Sequence, residues 1–166
     1  MTKIYLLSML LGILPISELR GAIPFLYFNK VQEVPLALAF AVGVLSNALV
    51  PFIGFVFLET LHKLLDKWFF YHRLFEKTVS RARNKVSERV NKYGLLGLML
   101  FVAVPLPVTG AWTGIVGAWV LGLDRKKSIL FILLGILISG IVVSTVIYTG
   151  SGIASLFTKD IDINLV

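Results

Sequence analysis

The sequence predicts an all-α integral membrane protein made of two similar halves, and three observations support this class. First, 57% of its 166 residues are hydrophobic, only 15% are charged, and the mean hydropathy is +0.89, whereas soluble domains carry about 25% charged residues. Second, the charges are clustered and leave uncharged runs at 4–17, 34–58, 93–123 and 128–158. The last three runs exceed the roughly 20 residues that a spanning helix needs. Third, the same order of features recurs in both halves of the chain.

The first uncharged run is too short to cross a bilayer. Residues 4–14 would form a helix of about 16 Å, about half the thickness of the hydrocarbon core, before Pro15 ends it. After Glu18 and Arg20, residues 22–28 are apolar again. This pattern predicts a re-entrant helical hairpin, because irregular backbone at membrane depth is tolerated only where protein or a wet cavity surrounds it. No A-x-A-like cleavage site follows the run, so we expect no cleaved signal peptide.

Residues 34–58 predict one full span, and residues 62–92 predict a different kind of helix. The residues that interrupt the span are Gly43, Asn47, Pro51 and Gly54. The segment 62–92 holds nine Lys or Arg against three Asp or Glu, with apolar residues at every third or fourth position. It predicts a long basic amphipathic helix on a membrane surface. A stripe packed on the protein's own spans and a coiled coil between two copies are the alternatives. The cations expected to contact anionic lipid are Arg81, Arg83, Lys85 and Arg89.

The second half repeats the order of the first. Residues 94–104 form a short apolar run that stops at VPLPVTGAWTG, residues 104–114, and residues 115–123 are apolar again. A charged turn at 124–127 precedes the last span, which lies within 128–158. The predicted organisation is a first repeat at 1–61, a linker helix at 62–92, a second repeat at 93–158 and a polar tail at 159–166.

The basic residues predict how the repeats lie in the membrane. Lys and Arg favour the cytoplasmic side, which places both 62–92 and 125–127 there. Both segments can be cytoplasmic only if 93–123 enters and leaves the membrane on one face, as a second re-entrant hairpin. The first hairpin then enters from the opposite face, because one span separates it from 62–92. The prediction is an inverted-topology repeat with facing hairpins; four simple spans are the alternative.

Ionisable groups within a membrane are functional candidates, and the first break contains two of them. Arg20 could hold an anionic group through two parallel hydrogen bonds, and Glu18 could neutralise it or carry a proton. The alternative is that the two side chains only pair with each other or extend to the interface. The chain has no cysteine and two histidines, and it offers no nucleophile–base pair. We therefore expect neither an enzyme nor a metal or other cofactor.

The second break contributes neutral groups. Thr109 and Thr113 provide hydroxyls, Trp112 provides an indole N–H, and Gly110 leaves its backbone open. The alternative is that such small and hydroxylated residues only let helices pack closely. The polar residues of the two spans that we expect to face the same cavity are Asn47, Ser139 and Ser144.

The motifs ELRGAIP, residues 18–24, and PLPVTGAWTG, residues 105–114, together resemble those of the small multi-drug export protein family, a distant relative of the DedA/VTT membrane proteins. The resemblance covers nearly the whole chain and implies an inverted repeat with two facing re-entrant hairpins. Val108 replaces a glycine of the family pattern P-L-P-G-T-G-A. The site residues that the resemblance implies are Glu18, Arg20, Gly21, Pro24, Pro105, Pro107, Thr109, Gly110 and Trp112.

The breaks and the resemblance together predict a secondary transporter of the cell membrane that works by alternating access. The DedA analogy implies proton coupling, and the expected substrate is amphipathic, either a hydrophobic drug-like compound or a lipid phosphate. The expected partners are protons, anionic lipids and a second copy of the chain, because 166 residues are few for a complete cavity. Nucleic acid is not expected. The alternative is a lipid-organising scaffold that acts through 62–92 without transport.

Overall fold

The computed structural model describes residues 2–29, 33–65, 93–106 and 109–161, and all regular secondary structure within them is helical. The predicted all-α class is therefore confirmed. For residues 62, 63, 65 and 151–161 only the backbone is described. The predicted basic helix lies outside the described residues from position 66 onward, and with it the four cations expected to contact lipid. The helices are α1 (Thr2–Ile13), α2 (Glu18–Tyr27), α3 (Leu36–Ala48), α4 (Val50–Leu65), α5 (Tyr93–Ala103), α6 (Ala111–Leu121) and α7 (Arg125–Ile161).

Two helical stretches are long and apolar enough to cross a membrane. They are Leu36–Leu61, which combines α3 and α4, and Arg125–Gly150 of α7, each of 26 residues. At 1.5 Å per residue each stretch is about 39 Å long, more than the ~30 Å hydrocarbon core. Pro51 explains the break between α3 and α4, because it has no N–H to donate to a carbonyl in the preceding turn. Proline is tolerated at this place because it lies in the first turn of α4.

The shorter helices form two antiparallel hairpins. In the first hairpin, α1 and α2, the Ser8 hydroxyl donates to the Ala22 carbonyl over 2.9 Å, and residues 14–17 form its tip. In the second hairpin, α5 and α6, Gly114 packs directly against Val102, and residues 104–106, 109 and 110 lie at its tip. Helices of this length reach only about halfway through a hydrocarbon core.

The two long stretches run antiparallel, and contacts at both ends establish this. At one end Leu36 of α3 and Tyr148 of α7 line the same groove. At the other end the Arg125 guanidinium donates to both carboxylate oxygens of Glu59, over 2.9 and 3.0 Å. These two side chains are 43% and 42% exposed, so their pairing contributes at most about 1 kcal/mol. The end of α4 and the start of α7 therefore lie at the same end of the molecule.

The tips of the two hairpins meet beside the break between α3 and α4. Gly12, near the end of α1, packs against Ser46 of α3, and Ile23 of α2 packs against Gly43. From the other side, Ile115 of α6 packs against Gly54 of α4. The absent Cβ atoms allow these helices to approach closely. As a result, the tips face each other near the middle of the Leu36–Leu61 stretch.

The core and the outer surface are both apolar. Branched residues such as Ile23, Ile115 and Ile132 are fully buried between the hairpins and the long helices. On the outside, large apolar side chains remain open, including Leu45 and Val146, which are 68% and 64% exposed. An apolar exterior of this extent is expected where lipid rather than water surrounds the helices.

Two helix starts differ from the sequence prediction. α2 begins at Glu18 rather than at residue 22, and α6 begins at Ala111 rather than at residue 115. The prediction followed the apolar runs and therefore excluded the polar residues of each break. The structure extends both helices through these residues, because Glu18 finds hydrogen-bond donors inside the protein.

Candidate functional site

The Glu18 carboxylate caps the N-terminus of α6. Its Oε2 accepts the backbone N–H of Ala111 over 3.1 Å, and its Oε1 accepts that of Trp112 over 3.2 Å. The first N–H groups of a helix have no partner within the helix and carry partial positive charge. A carboxylate supplies both the missing hydrogen-bond acceptors and a compensating negative charge, and Glu18 is only 7% exposed. The contact joins the two hairpins tip to tip.

Gly110 makes room for this contact. Its φ of 150° and ψ of −170° lie in a region that essentially only glycine adopts. A Cβ atom at this position would overlap the carboxylate and lie 2.7 Å from Cδ of Glu18. Glu18 itself has a φ of 46°, which costs a residue with a side chain about 1–2 kcal/mol. The surrounding contacts therefore hold both backbones in unusual conformations.

Trp112 connects the C-terminus of α1 to the contact between Glu18 and α6. Its indole N–H donates to the Ile13 carbonyl over 2.8 Å, and this carbonyl at the end of α1 has no helical partner. The indole ring also lies against Gly54, where a Cβ would be 3.5 Å from Cζ3. The end of α1 and the starts of α2 and α6 thus meet at one point.

Replacing Trp112 with Phe should separate the hydrogen bond from the ring packing. The variant keeps an aromatic ring but leaves the half-buried Ile13 carbonyl without its donor. We expect the free energy of unfolding in detergent to fall by about 1–3 kcal/mol. Thr60→Val is the control, because the Thr60 hydroxyl is exposed and bonds only within its own helix. Equal stability of the two variants would show that the indole N–H contributes nothing.

Asn47 of α3 lies one helical turn from Gly43, which packs against Leu19 next to Glu18. It is fully buried, and the side-chain amide acts on the charge of the carboxylate. However, neither its Oδ1 nor its Nδ2 makes a hydrogen bond of acceptable geometry with a described residue. A buried polar atom without a partner costs about 1–3 kcal/mol. Asn47 is thus close to Glu18, but its side-chain amide forms no hydrogen bond with the carboxylate.

Arg20 is half-buried on α2, two residues after Glu18 in the sequence. Residues two positions apart on a helix do not face each other, and among the described residues Arg20 forms neither a hydrogen bond nor an ion pair. It still stabilises the Glu18 charge through space. The alternative of a simple Glu18–Arg20 ion pair is therefore wrong for the described geometry, because the carboxylate is bound by α6 instead.

The other predicted site residues that the structure describes lie within the hairpins, where they form local hydrogen bonds or pack the helices together. The Thr109 hydroxyl accepts the Leu106 N–H over 3.0 Å and donates to the Val104 carbonyl, so it closes the second tip. The Thr113 hydroxyl donates to Gly110 O over 3.2 Å. A Cβ at Gly21 would meet Cβ of Ser17 at 2.6 Å, which is a packing role. Pro24 lies within α2, Pro105 is half-buried in the second tip, and Pro107 is outside the described residues.

Two grooves lie away from the cap. One, of about 340 Å³, separates α5 from α6 and is lined by Gly97, Phe101 and Gly117. The other, of about 280 Å³, lies between α3 and α7 and includes Ser144. Ser144, which was expected to face the same cavity as Asn47, lines this second groove toward the Leu36 end of the molecule, and the shared cavity stays a prediction. Ser139 is buried within α7.

Sequence reasoning missed two groups that form hydrogen bonds at the first hairpin tip. One is the Ile13 carbonyl, which accepts the Trp112 indole N–H, and no side-chain pattern can identify a backbone acceptor. The other is Ser17, whose hydroxyl donates to the Leu11 carbonyl over 2.6 Å and closes the first tip. Its place two residues after Pro15 in the break was the available signal.

Two membrane-length helices, an apolar exterior and a polar contact between two half-length hairpins define a membrane protein built on broken helices. The chain belongs to the family described as "Putative small multi-drug export protein", whose match covers residues 18–142 and contains both the ELRGAIP and the PLPVTGAWTG motifs. No curated protein and no solved structure shows a significant match. The predicted family is confirmed, whereas the relation to the DedA/VTT proteins stays a prediction.

Proposed function

We propose that this protein is a secondary transporter in which the contact between Glu18 and the N-terminus of α6 is the gate. The observation that carries the proposal is this carboxylate cap, which joins the two hairpin tips near the middle of the Leu36–Leu61 stretch. A buried ionisable group at that depth is costly and is typical of transport pathways. Breaking the cap would separate the tips and free two backbone donors.

The proposed topology is an inverted repeat of two re-entrant hairpins. Three features support it: each hairpin helix is about half a membrane thickness long, the tips meet, and the long stretches run antiparallel. The ends of the first hairpin lie toward Leu36, and those of the second lie toward Arg125. With residues 125–127 on the cytoplasmic side, the first hairpin opens to the outside and the second to the inside.

Single cysteines at three exposed positions test this topology, because the chain has no cysteine of its own. We expect cysteines replacing Lys3 and Glu33 to react with an impermeant maleimide added outside the cell. A cysteine replacing Lys126 should react only after permeabilisation. Four simple spans would instead put residues 33 and 126 on the same side, and that labelling pattern would rule out the hairpins.

Glu18 is the proposed proton carrier. As a carboxylate it holds the helix end of α6, and the positive charge of Arg20 lies nearby. On protonation it loses the charge that strengthens both cap hydrogen bonds, so the tips can separate. The proton is then released toward whichever face has opened. Arg20 would bind the polar end of the substrate or balance Glu18 as the proton leaves.

The proposed substrate is an amphipathic molecule, either a hydrophobic drug-like cation or a lipid phosphate. The apolar groove between α5 and α6, of about 340 Å³, suits a hydrophobic tail or ring and extends from the open end of the second hairpin to Thr113. The family description favours export of a drug-like compound. The scaffold alternative depends on segment 62–92, most of which lies outside the described residues, so that alternative also stays a prediction.

The decisive test is transport in proteoliposomes, with and without an imposed pH gradient. A fluorescent hydrophobic cation and a short-chain lipid phosphate are compared side by side. We expect the pH gradient to drive movement of the cation. If the gradient drove movement of the lipid phosphate alone, the protein would still be a proton-coupled transporter, but its substrate would be a lipid phosphate. Absence of gradient-driven movement for both molecules would refute proton-coupled transport of either class.

A further inference from the structure

The Asn47 side chain is a buried amide with nothing to bind in the described structure. It is fully buried, and both its Oδ1 and its Nδ2 lack a hydrogen-bond partner among the described residues. Yet Asn47 lies one helical turn from Gly43, which packs against Leu19 next to Glu18, and two backbone N–H groups of α6 already hold the Glu18 carboxylate. A buried polar group without a partner is unfavourable. Its position next to the proposed proton carrier suggests that its partner forms in another protonation state.

The chemistry of the cap shows what that partner must be. An ionised carboxylate only accepts hydrogen bonds, and the N–H groups of Ala111 and Trp112 only donate. Once Glu18 is protonated, its new O–H is a donor and needs an acceptor, which neither N–H can provide. The Ile13 carbonyl nearby already accepts the Trp112 indole N–H. The Asn47 Oδ1 is a buried acceptor without a partner among the described residues.

We propose that Asn47 is the positioning residue for the proton, accepting through Oδ1 the hydrogen bond donated by protonated Glu18. This inference rests on the proposed role of Glu18 as proton carrier. In the step, hydronium transfers a proton to one carboxylate oxygen, an O–H bond forms, and water leaves. The new O–H donates to Asn47 Oδ1, and the cap hydrogen bond to that oxygen weakens. Release of the proton to water reverses each change.

The amide group contains a donor and an acceptor, and neither forms a hydrogen bond with the carboxylate in the described structure. Rotation about its terminal bond can direct Oδ1 to the carboxylic acid. The charged groups around Glu18 are few in the part of the chain that the structure describes. Among the described residues, Arg20 of the same helix is the charged side chain that acts on Glu18. Glu59 of α4 and Arg125 of α7 pair with each other at the far end of those helices. Asn47 is thus a described side chain that can accept a hydrogen bond when Glu18 is protonated.

Infrared difference spectroscopy of the protein in lipid, recorded between high and low pH, tests the proposal. The carbonyl band of protonated Glu18 is assigned by its loss in Glu18→Gln. Asn47→Val and Asn47→Thr are a matched pair of the same shape, and only Thr offers an oxygen acceptor. We expect the band to move to higher wavenumber in the Val variant and to stay near its original position in the Thr variant. Gradient-driven transport should fall about tenfold in the Val variant and recover in part in the Thr variant.

Ser128→Ala is the control, because the Ser128 hydroxyl is also buried without a partner but lies on α7. It should leave the Glu18 band unchanged. A Glu18 band that does not move in Asn47→Val overturns the inference while leaving Glu18 as proton carrier. A wild-type band already at the position of a free carboxylic acid overturns it without any variant. Absence of a Glu18 band in the wild type would instead refute the proton-carrier role itself.

Discussion

Gly110→Ala should abolish transport and lower the free energy of unfolding by about 3 kcal/mol or more. Two separate effects add at this position. The backbone φ of 150° and ψ of −170° are unfavourable for any residue with a side chain, at a cost of about 1–3 kcal/mol. In addition, the new Cβ would overlap the Glu18 carboxylate and push it away from the N–H groups of α6. Each hydrogen bond lost to a charged group costs about 1.5–3 kcal/mol.

The matched control for this variant is Gly150→Ala on α7. A Cβ at Gly150 would meet no atom within 4 Å, and the residue is helical, so alanine should be neutral or slightly stabilising. Unfolding in detergent and transport in proteoliposomes would be measured for both variants. If Gly110→Ala matched the stability and transport rate of Gly150→Ala, the tip-to-tip contact would have no role in either.

The sequence located the two breaks and the residues at their centres. Glu18, Gly110 and Trp112 were all predicted as site residues, and the structure brings them into direct contact. This was possible because a charge and a proline–glycine motif inside long apolar runs have few structural explanations in a membrane. The half-length apolar runs likewise predicted short helices, which α1, α5 and α6 are.

The partner of Glu18 could not be predicted from the sequence. Arg20 is two residues away and was the obvious candidate, but the carboxylate binds backbone groups at Ala111 and Trp112 instead. A backbone donor has no sequence signature, and the separation of more than ninety residues hides the pairing. The starts of α2 and α6 were misplaced for the same reason, because a polar residue looks like a loop until its distant partner is known.

A helix cap supplied by another hairpin explains why a membrane chain has a carboxylate where its first helix breaks. The N-terminus of α6 would otherwise place unpaired donors inside an apolar core, which is strongly unfavourable in lipid. Glu18 satisfies them only when the hairpin tips touch. One contact therefore stabilises the joined hairpin tips and makes their association sensitive to the charge on a single group.

Glu18→Gln should remove proton coupling while the protein still inserts into the membrane. The glutamine carbonyl can accept one of the two N–H groups, but its own NH₂ would face the other, donor against donor. The charge that strengthens both hydrogen bonds is also lost, so we expect stability to fall by about 2–4 kcal/mol. Because the amide does not titrate near neutral pH, gradient-driven transport should fall at least about a hundredfold, as expected for a residue that carries the proton.

Glu59→Gln provides the matched control, since it makes the same chemical change at an exposed carboxylate. Glu59 pairs with Arg125 at the surface, where an ion pair contributes at most about 1 kcal/mol, so transport and stability should remain close to wild type. Both variants would be compared for surface expression, thermal unfolding and transport with and without the pH gradient. Gradient-driven transport that persists in Glu18→Gln would exclude Glu18 as the proton carrier. Loss of transport in both variants alike would point to a general need for carboxylates rather than to the cap between the hairpins.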